Sequence, residues 1–232
     1  MSSKTFDLGS LGSVTVYKRR GTRRINLRVS GNKIKITQPV WLPYASGVTF
    51  AKNNKTWISE QQSKQKSASL KNGMGVGKHH ELRFEHALTA RSRIKDGYIT
   101  IYTPRANWTD LDTQEIAKKA IKRALKNEAI EILPSRLNAI SDQYGFTCKD
   151  IKFKAMRTRW GSCNSSKIVT LNIYLMMLPW ELIDYVLLHE LAHTVHLHHG
   201  KDFWQTVDKI MPDYKKRKTQ LKTMQHLVMP IQ

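Results

Sequence analysis

Apolar and polar side chains alternate through the first forty-odd residues, with Val14, Val16, Ile25, Leu27, Val29, Ile34 and Ile36 on the apolar beat. Period two is the spacing of a strand with one buried face. Gly21 and the pair Gly31 and Asn32 punctuate this run as turns, so the segment reads as a β-meander. From about residue 44 to residue 69 the spacing becomes helical, and Val48, Ala51, Trp57 and Ile58 can share one face. Residues 71–78 hold Gly73, Gly75 and Gly77 and read as a loop. It is not a phosphate-binding loop, since no Lys-Ser/Thr follows at the required spacing. Two more strands fall within residues 81–103, the second carrying Tyr98, Ile99, Ile101 and Tyr102.

Asp110 or Asp112 can cap a long helix that runs to about Ile140. Its apolar stripe is Ile116, Ala120, Ile121, Leu125, Ile130 and Leu133, and Pro134 is expected to kink or divide it. Strands over residues 151–156 and 168–177 flank a turn at residues 159–165. A helix starting near Pro179 then carries a histidine motif. A final helix begins near Lys201 or Asp202 and ends near Met211, followed by a basic tail with Lys215, Lys216, Arg217, Lys218 and Lys222. No internal repeat is evident. The reading is an α+β fold: a β-rich portion with one helix over residues 1–105 and a second portion over residues 106–232. The glycine-rich loop, Gly73 to Gly77, is the best candidate boundary unless it joins parts of one continuous fold.

Charge changes the picture. The 232 residues carry 39 Lys and Arg against 18 Asp and Glu, a formal net charge of +21. Such a surface draws polyanions, although a solvated surface with no anionic partner carries the same signature. Lys18, Arg19, Arg20, Arg23, Arg24 and Arg28 cluster in the first strands. The two cysteines, Cys148 and Cys163, form no CxxC pair and no disulfide framework, which suits a reducing cytoplasm. No apolar run approaches a membrane span, and the first residues lack the apolar core of a signal peptide.

His189-Glu190-Leu191-Ala192-His193 is an HExxH motif. Residues four apart stack on one helix face, so both imidazoles can reach one ion. Glu190 points beside that ion and is placed to take a proton from water. Leu182, Ile183, Val186, Leu187 and Leu191 make the helix largely apolar, which strengthens charge effects around it. A catalytic zinc takes three protein ligands and leaves one position open. The candidates for the third are His196, His198, His199 and Asp202. On a continued helix His196 would lie about 10.5 Å along the axis from His189, too far to share an ion. The chain must therefore turn back, and Gly200 can supply a left-handed helix end. The interval from His193 to His199 matches the third-ligand spacing of longer HExxH patterns. This favours His199, with Asp202 as the alternative and His196 and His198 outside the ligand set. The stretch His79, His80, Glu81 and His86 lacks ligand spacing and reads as surface.

Arg159-Trp160-Gly161-Ser162-Cys163, Thr170-Leu171-Asn172, Pro179, Asp184-Tyr185-Val186, His189 to His193, His199-Gly200, Phe203-Trp204 and Met211-Pro212-Asp213-Tyr214 resemble the YgjP-like metallopeptidase family, formerly a domain of unknown function. That family is related to the SprT-like and WLM zinc-protease domains. Arg23, Arg24, Leu27 and Val29, with Trp57-Ile58, are similar to its N-terminal half. The resemblance implies a zincin-like fold with one zinc ion on His189, His193 and His199 and with Glu190 as base. It also implies that residues 159–163 lie near the site. Where the family shows Asn-His-Ser, this chain has His198-His199-Gly200, which leaves His198 as a competitor. Arg159 could bind a substrate carboxylate or phosphate, or anchor a tight turn over Trp160. In zincins an edge strand pairs with an extended peptide, and the strand through Asn172 is the candidate here.

The leading expectation is a zinc-dependent metallopeptidase in which Glu190 activates water for attack on a peptide carbonyl. Arg159, Asn172, His196 and His198 are candidates to touch the substrate. Two alternatives are a metal-dependent nucleotide phosphoanhydride hydrolase, favoured by the charge, and a nucleic-acid-associated SprT-like protease. For the last, Arg19, Arg20, Arg23, Arg24 and the tail would be the footprint.

Overall fold

The computed structural model describes residues 2–9, 12–30, 33–67 and 69–224. The chain divides into two compact units, Met1–Ser69 and Leu70–Gln232. The division thus falls just before the glycine-rich loop rather than near residue 105.

The first unit holds strands β1 (Ser2–Asp7), β2 (Ser13–Arg19), β3 (Asn26–Ser30) and β4 (Lys33–Pro39), then helices α1 (Tyr44–Asn53) and α2 (Lys55–Ser67). The alternating residues do form strands, but not a meander. Strand order is β1-β2-β4-β3, with β4 parallel to β2 and inserted between β2 and β3. Gly21, at φ 77°, makes the expected turn after β2; the turn expected at Gly31 and Asn32 lies outside the described residues. Val14, Val16, Val29, Ile34, Ile36, Ala51 and Ile58 form the core between sheet and helices. A break at Asn54 replaces the single helix read from the sequence. It rephases the faces, so Ile58 is buried while Trp57 is exposed.

The second unit opens with β5 (Met74–Val76), β6 (His80–His86), β7 (Arg91–Lys95) and β8 (Tyr98–Thr103), in the order β5-β6-β8-β7. A two-residue turn, Asp96 and Gly97, both at positive φ, joins β7 to β8. Pairing is antiparallel, parallel, antiparallel across the sheet, the same sequence of pairings as in the first unit. The chain therefore does contain a repeat, one of topology. It escapes notice in the sequence because strand alternation is common to all half-buried sheets.

Helix α3 (Leu111–Tyr144) follows, capped by Asp110, whose carboxylate accepts from the amides of Asp112 at 3.0 Å and Thr113 at 3.4 Å. Ala117, Ala120, Ala124 and Ala129 are buried and let it approach its neighbours closely. The helix is not divided at Pro134. The carbonyl that loses a partner there belongs to Ile130, which is exposed and can be solvated. Ile130 consequently falls outside the core stripe.

On the buried face of α3 sits Glu128, 3% exposed. Its carboxylate accepts from the amides of Lys78 (2.9 Å) and His79 (2.9 Å). Gly77, at φ 67°, passes so close that an added Cβ would stand 2.1 Å from Glu128 Oε2. The glycine-rich loop is thus pinned by a buried carboxylate. Glu128→Ala leaves those amides unsatisfied and is expected to lower stability by about 3 kcal/mol. Urea unfolding of the two proteins measures the difference.

A three-stranded sheet follows, with β9 (Asp150–Lys154), β10 (Gly161–Cys163) and β11 (Ile168–Asn172) in the order β10-β11-β9. A 3-10 turn over Ile173–Met177 leads to α4 (Trp180–Ala192), then α5 (Lys201–Ile210) and α6 (Tyr214–Thr223). The basic tail read from the sequence is in fact helix α6. Among the described residues no helix is long and apolar enough to cross a membrane.

Candidate metal centre

Helix α4 starts at the N-cap Pro179 and is buried nearly all round, with Leu182, Ile183, Val186, Leu187 and Leu191 in the core. That burial fixes its rotation and sends His189, Glu190 and His193 toward the same side. After Ala192 the chain tightens: amides of Val195 and His196 both reach the Ala192 carbonyl. A reversal over residues 193–200 then returns the chain to α5. Gly200 plays no left-handed part in this, because its φ is −74° and it is the N-cap of α5.

The reversal brings His199 back to the two helix imidazoles. His199 Nε2 lies 3.0 Å from His189 Nε2 and 3.1 Å from His193 Nε2. Three nitrogens about 2.1 Å from one tetrahedral ion stand about 3.4 Å apart, so a small outward relaxation admits a cation. The protonation pattern agrees. His193 Nδ1 donates to the His196 carbonyl at 3.0 Å, which leaves Nε2 with its lone pair. Burial drives the His189 pKa down to about 3 and lowers that of His193, so both rings are neutral. His199 Nε2 can give its one proton to one neighbour only, and the other contact sets lone pair against lone pair. A cation resolves that conflict. Among the described residues these three histidines are the one group with metal-ligand geometry.

Phe203 and Trp204 hold the rings in place. The Phe203 ring lies 4.9, 4.5 and 4.8 Å from the centroids of His189, His193 and His199. Trp204 stacks on His199 at 5.5 Å and is itself stacked by Tyr214 at 5.3 Å. Both of these aromatic neighbours of the third imidazole come from α5, the helix that ends the reversal.

Glu190 stands beside the centre, buried, with Oε2 free of any hydrogen-bond partner. Burial pushes its carboxyl up to about 8, and the nearby Arg159 charge opposes the rise. A cation on the imidazoles adds to that opposition. Its neighbour is Gly161 of β10, where an added Cβ would meet Glu190 Oε1 at 2.5 Å. This explains the glycine of the Trp160-Gly161-Ser162-Cys163 run: the strand can pass over the carboxylate only without a side chain. Burial also raises the Cys163 thiol to about 11, with the Glu190 charge adding to it, so it stays protonated.

The remaining expected site residues are placed differently. Asn172 is buried and accepts from the amides of Met156 and Tyr174 while donating to the carbonyls of Met156 and Arg159. Its amide pins the loop before β10 and is not turned to a substrate. Its strand, β11, is the central one of its sheet, and the edge strand beside Glu190 is β10. His196 is near Thr206 Oγ1 (3.2 Å), and His198 and Asp202 lie on the exposed outside of the reversal. None of the three belongs to the ligand group. His80 lies 3.4 Å from Glu128, away from any ligand group. Arg159 is exposed and lines a cleft with Glu190.

A helix bearing two imidazoles and a carboxylate, joined by a returning third imidazole, is the kind of arrangement on which metallopeptidases are built. The sequence profile described as the YgjP-like metallopeptidase domain matches residues 23–224, and this α+β chain belongs to that family. Two solved structures are similar over part of the chain. The zymogen of abylysin, a metallopeptidase of Pyrococcus abyssi, is 22% identical over 40% of this chain and 93% of its own, with a TM-score of 0.37. The zymogen of jannalysin, from Methanocaldococcus jannaschii, is 26% identical over 39% of this chain and 92% of its own, with a TM-score of 0.34. No curated protein matches.

Proposed function

We propose that this chain is a zinc-dependent peptidase with His189, His193 and His199 as ligands and Glu190 as general base. The observation that carries this reading is the convergence of three Nε2 atoms beside a buried carboxylate oxygen with no partner. Three imidazoles suit zinc among the common divalent ions. When bound, the ion supplies Lewis-acid chemistry, polarising a carbonyl and making water more acidic. Glu190 takes a proton from water as the water oxygen bonds to the carbonyl carbon. It then delivers that proton to the amine nitrogen as the C–N bond breaks. An extended substrate fits the free edge of β10, where backbone hydrogen bonding would lay a peptide next to Glu190. Gly161 lets β10 run close over the Glu190 carboxylate.

The test uses the zinc-loaded protein with a denatured protein and, separately, with nucleoside triphosphates. New amino termini should appear in the first and no pyrophosphate in the second. Nucleotide hydrolysis without peptide cleavage would establish the phosphoanhydride reading instead.

A second reading, association with nucleic acid, is favoured by the first unit. Helices α1 and α2 cover one face of its sheet; the opposite face carries Thr15, Tyr17, Arg28, Lys35 and Thr37, with Lys35 Nζ 4.5 Å over the Tyr17 ring. Residues 1–69 hold only two acids, Asp7 and Glu60. Four phosphates neutralised by the cations of this unit would weaken binding to a single strand about fiftyfold between 50 and 200 mM salt. Fluorescence anisotropy with a labelled single strand reads the slope, and a flat response removes the reading.

A further inference from the structure

Next to Glu190 a cleft of about 470 Å3 opens between the loop before β10 and helices α4 and α6. Its apolar lining includes Trp160, Val186 and Leu221, and its cations are Arg159, Lys218 and Lys222. Glu190 is the only carboxylate among the lining residues. The cations arrive from separate parts of the chain. Arg159 comes from the loop held by Asn172; Lys218 and Lys222 stand one turn apart on α6, a like-charge pair that disfavours the helix by a few tenths of a kcal/mol.

Two other cations nearby are neutralised. Arg136 pairs with Asp184 and Arg217 with Asp213. Among the described residues, Arg159, Lys218 and Lys222 have no carboxylate within ion-pair distance. Lys218 rests instead over the Trp204 ring, 4.2 Å from its centroid. Three unneutralised cations around a partly apolar cleft focus a positive potential at its mouth. Glu190 alone among the lining residues can offset them, so an anionic group entering the cleft would meet uncompensated positive charge.

We propose that this cleft recognises an acidic side chain, Asp or Glu, of a polypeptide substrate close to the scissile bond. The inference rests on the peptidase reading and adds the substrate class to it. The short aliphatic stem of such a residue packs on Val186 and Leu221 while its carboxylate meets the cations. The cleft adjoins the free edge of β10, so a peptide paired there places alternate side chains toward it.

The experiment compares two fluorogenic peptide sets that differ only in Glu against Gln at positions flanking the cleaved bond. Values of kcat/KM are measured for the zinc-loaded wild type, Lys218→Glu and Lys222→Glu, with metal content checked in each. Affinity for the same peptides, and for a nucleoside triphosphate, is measured on zinc-loaded Glu190→Gln, so that binding is read without turnover. The expected result is a preference for Glu of about tenfold at low salt, narrowing as salt rises. The preference should shrink in Lys222→Glu and invert in Lys218→Glu. Equal kcat/KM and equal affinity for Glu and Gln peptides would overturn the proposal while leaving a peptidase. So would a preference unchanged in both variants, or tighter binding of the nucleotide than of the acidic peptide. A Glu preference in binding with no cleavage of any peptide would sustain the cleft's recognition of an acidic side chain and overturn the peptidase reading.

Discussion

Glu190→Gln is expected to lower kcat/KM for peptide hydrolysis by at least about a thousandfold while the protein still binds one zinc per chain. The substitution keeps the size of the side chain and removes the group that takes and returns a proton. Glu190 is not among the converging nitrogens, so metal content should not follow activity. The same change removes a buried carboxylate with an unpartnered oxygen, and the variant should be at least as stable as the wild type in urea. Loss of activity with retained zinc and retained stability identifies a proton-transfer role. Retained activity would show that the base lies elsewhere.

His199→Ala is expected to fail at the step before chemistry. Structural zinc binding is worth on the order of 12 kcal/mol; shared among three imidazoles, that is about 4 kcal/mol each, or about a thousandfold in affinity. His199 is the exposed member of the three and reaches the centre through a reversal rather than along the helix. Its removal should therefore leave the fold intact. Competition with a chromophoric chelator measures the loss. His198→Ala and Asp202→Ala, tested beside it, should keep wild-type affinity, since neither belongs to the converging group. A wild-type affinity in His199→Ala would mean that the third donor is some other residue.

The pairing of His189 with His193 was legible because helical spacing is a rigid rule. His189 and His193 share a face for any α-helix, and the distance argument against His196 needs only the rise per residue. Strand order was not legible. Alternation in β2, β3 and β4 looks the same whether β4 lies at the edge or is inserted beside β2, and only the pairing distinguishes a meander from the observed order. For the same reason the central position of β11 was hidden, and with it the commitment of Asn172 to its own loop. Helix α6 was missed because its sequence, YKKRKTQLKT, has no apolar stripe to announce it. Glu128 looked like any polar residue on a long helix, although it is buried against the amides of Lys78 and His79. Gly161 was visible only as part of a motif. Its reason for being glycine needed the third dimension.

That contact binds the identities of two positions together. Residue 161 is dictated from behind, by a carboxylate, and not from the front by whatever lies along the strand. A descendant that has given up hydrolysis and replaced Glu190 by a small residue regains the freedom to put alanine or serine at 161. Among divergent copies of this fold, then, glutamate and glycine should be kept or abandoned as a couple. A chain with the three histidines but with neither of the couple would mark a metal carrier descended from an enzyme.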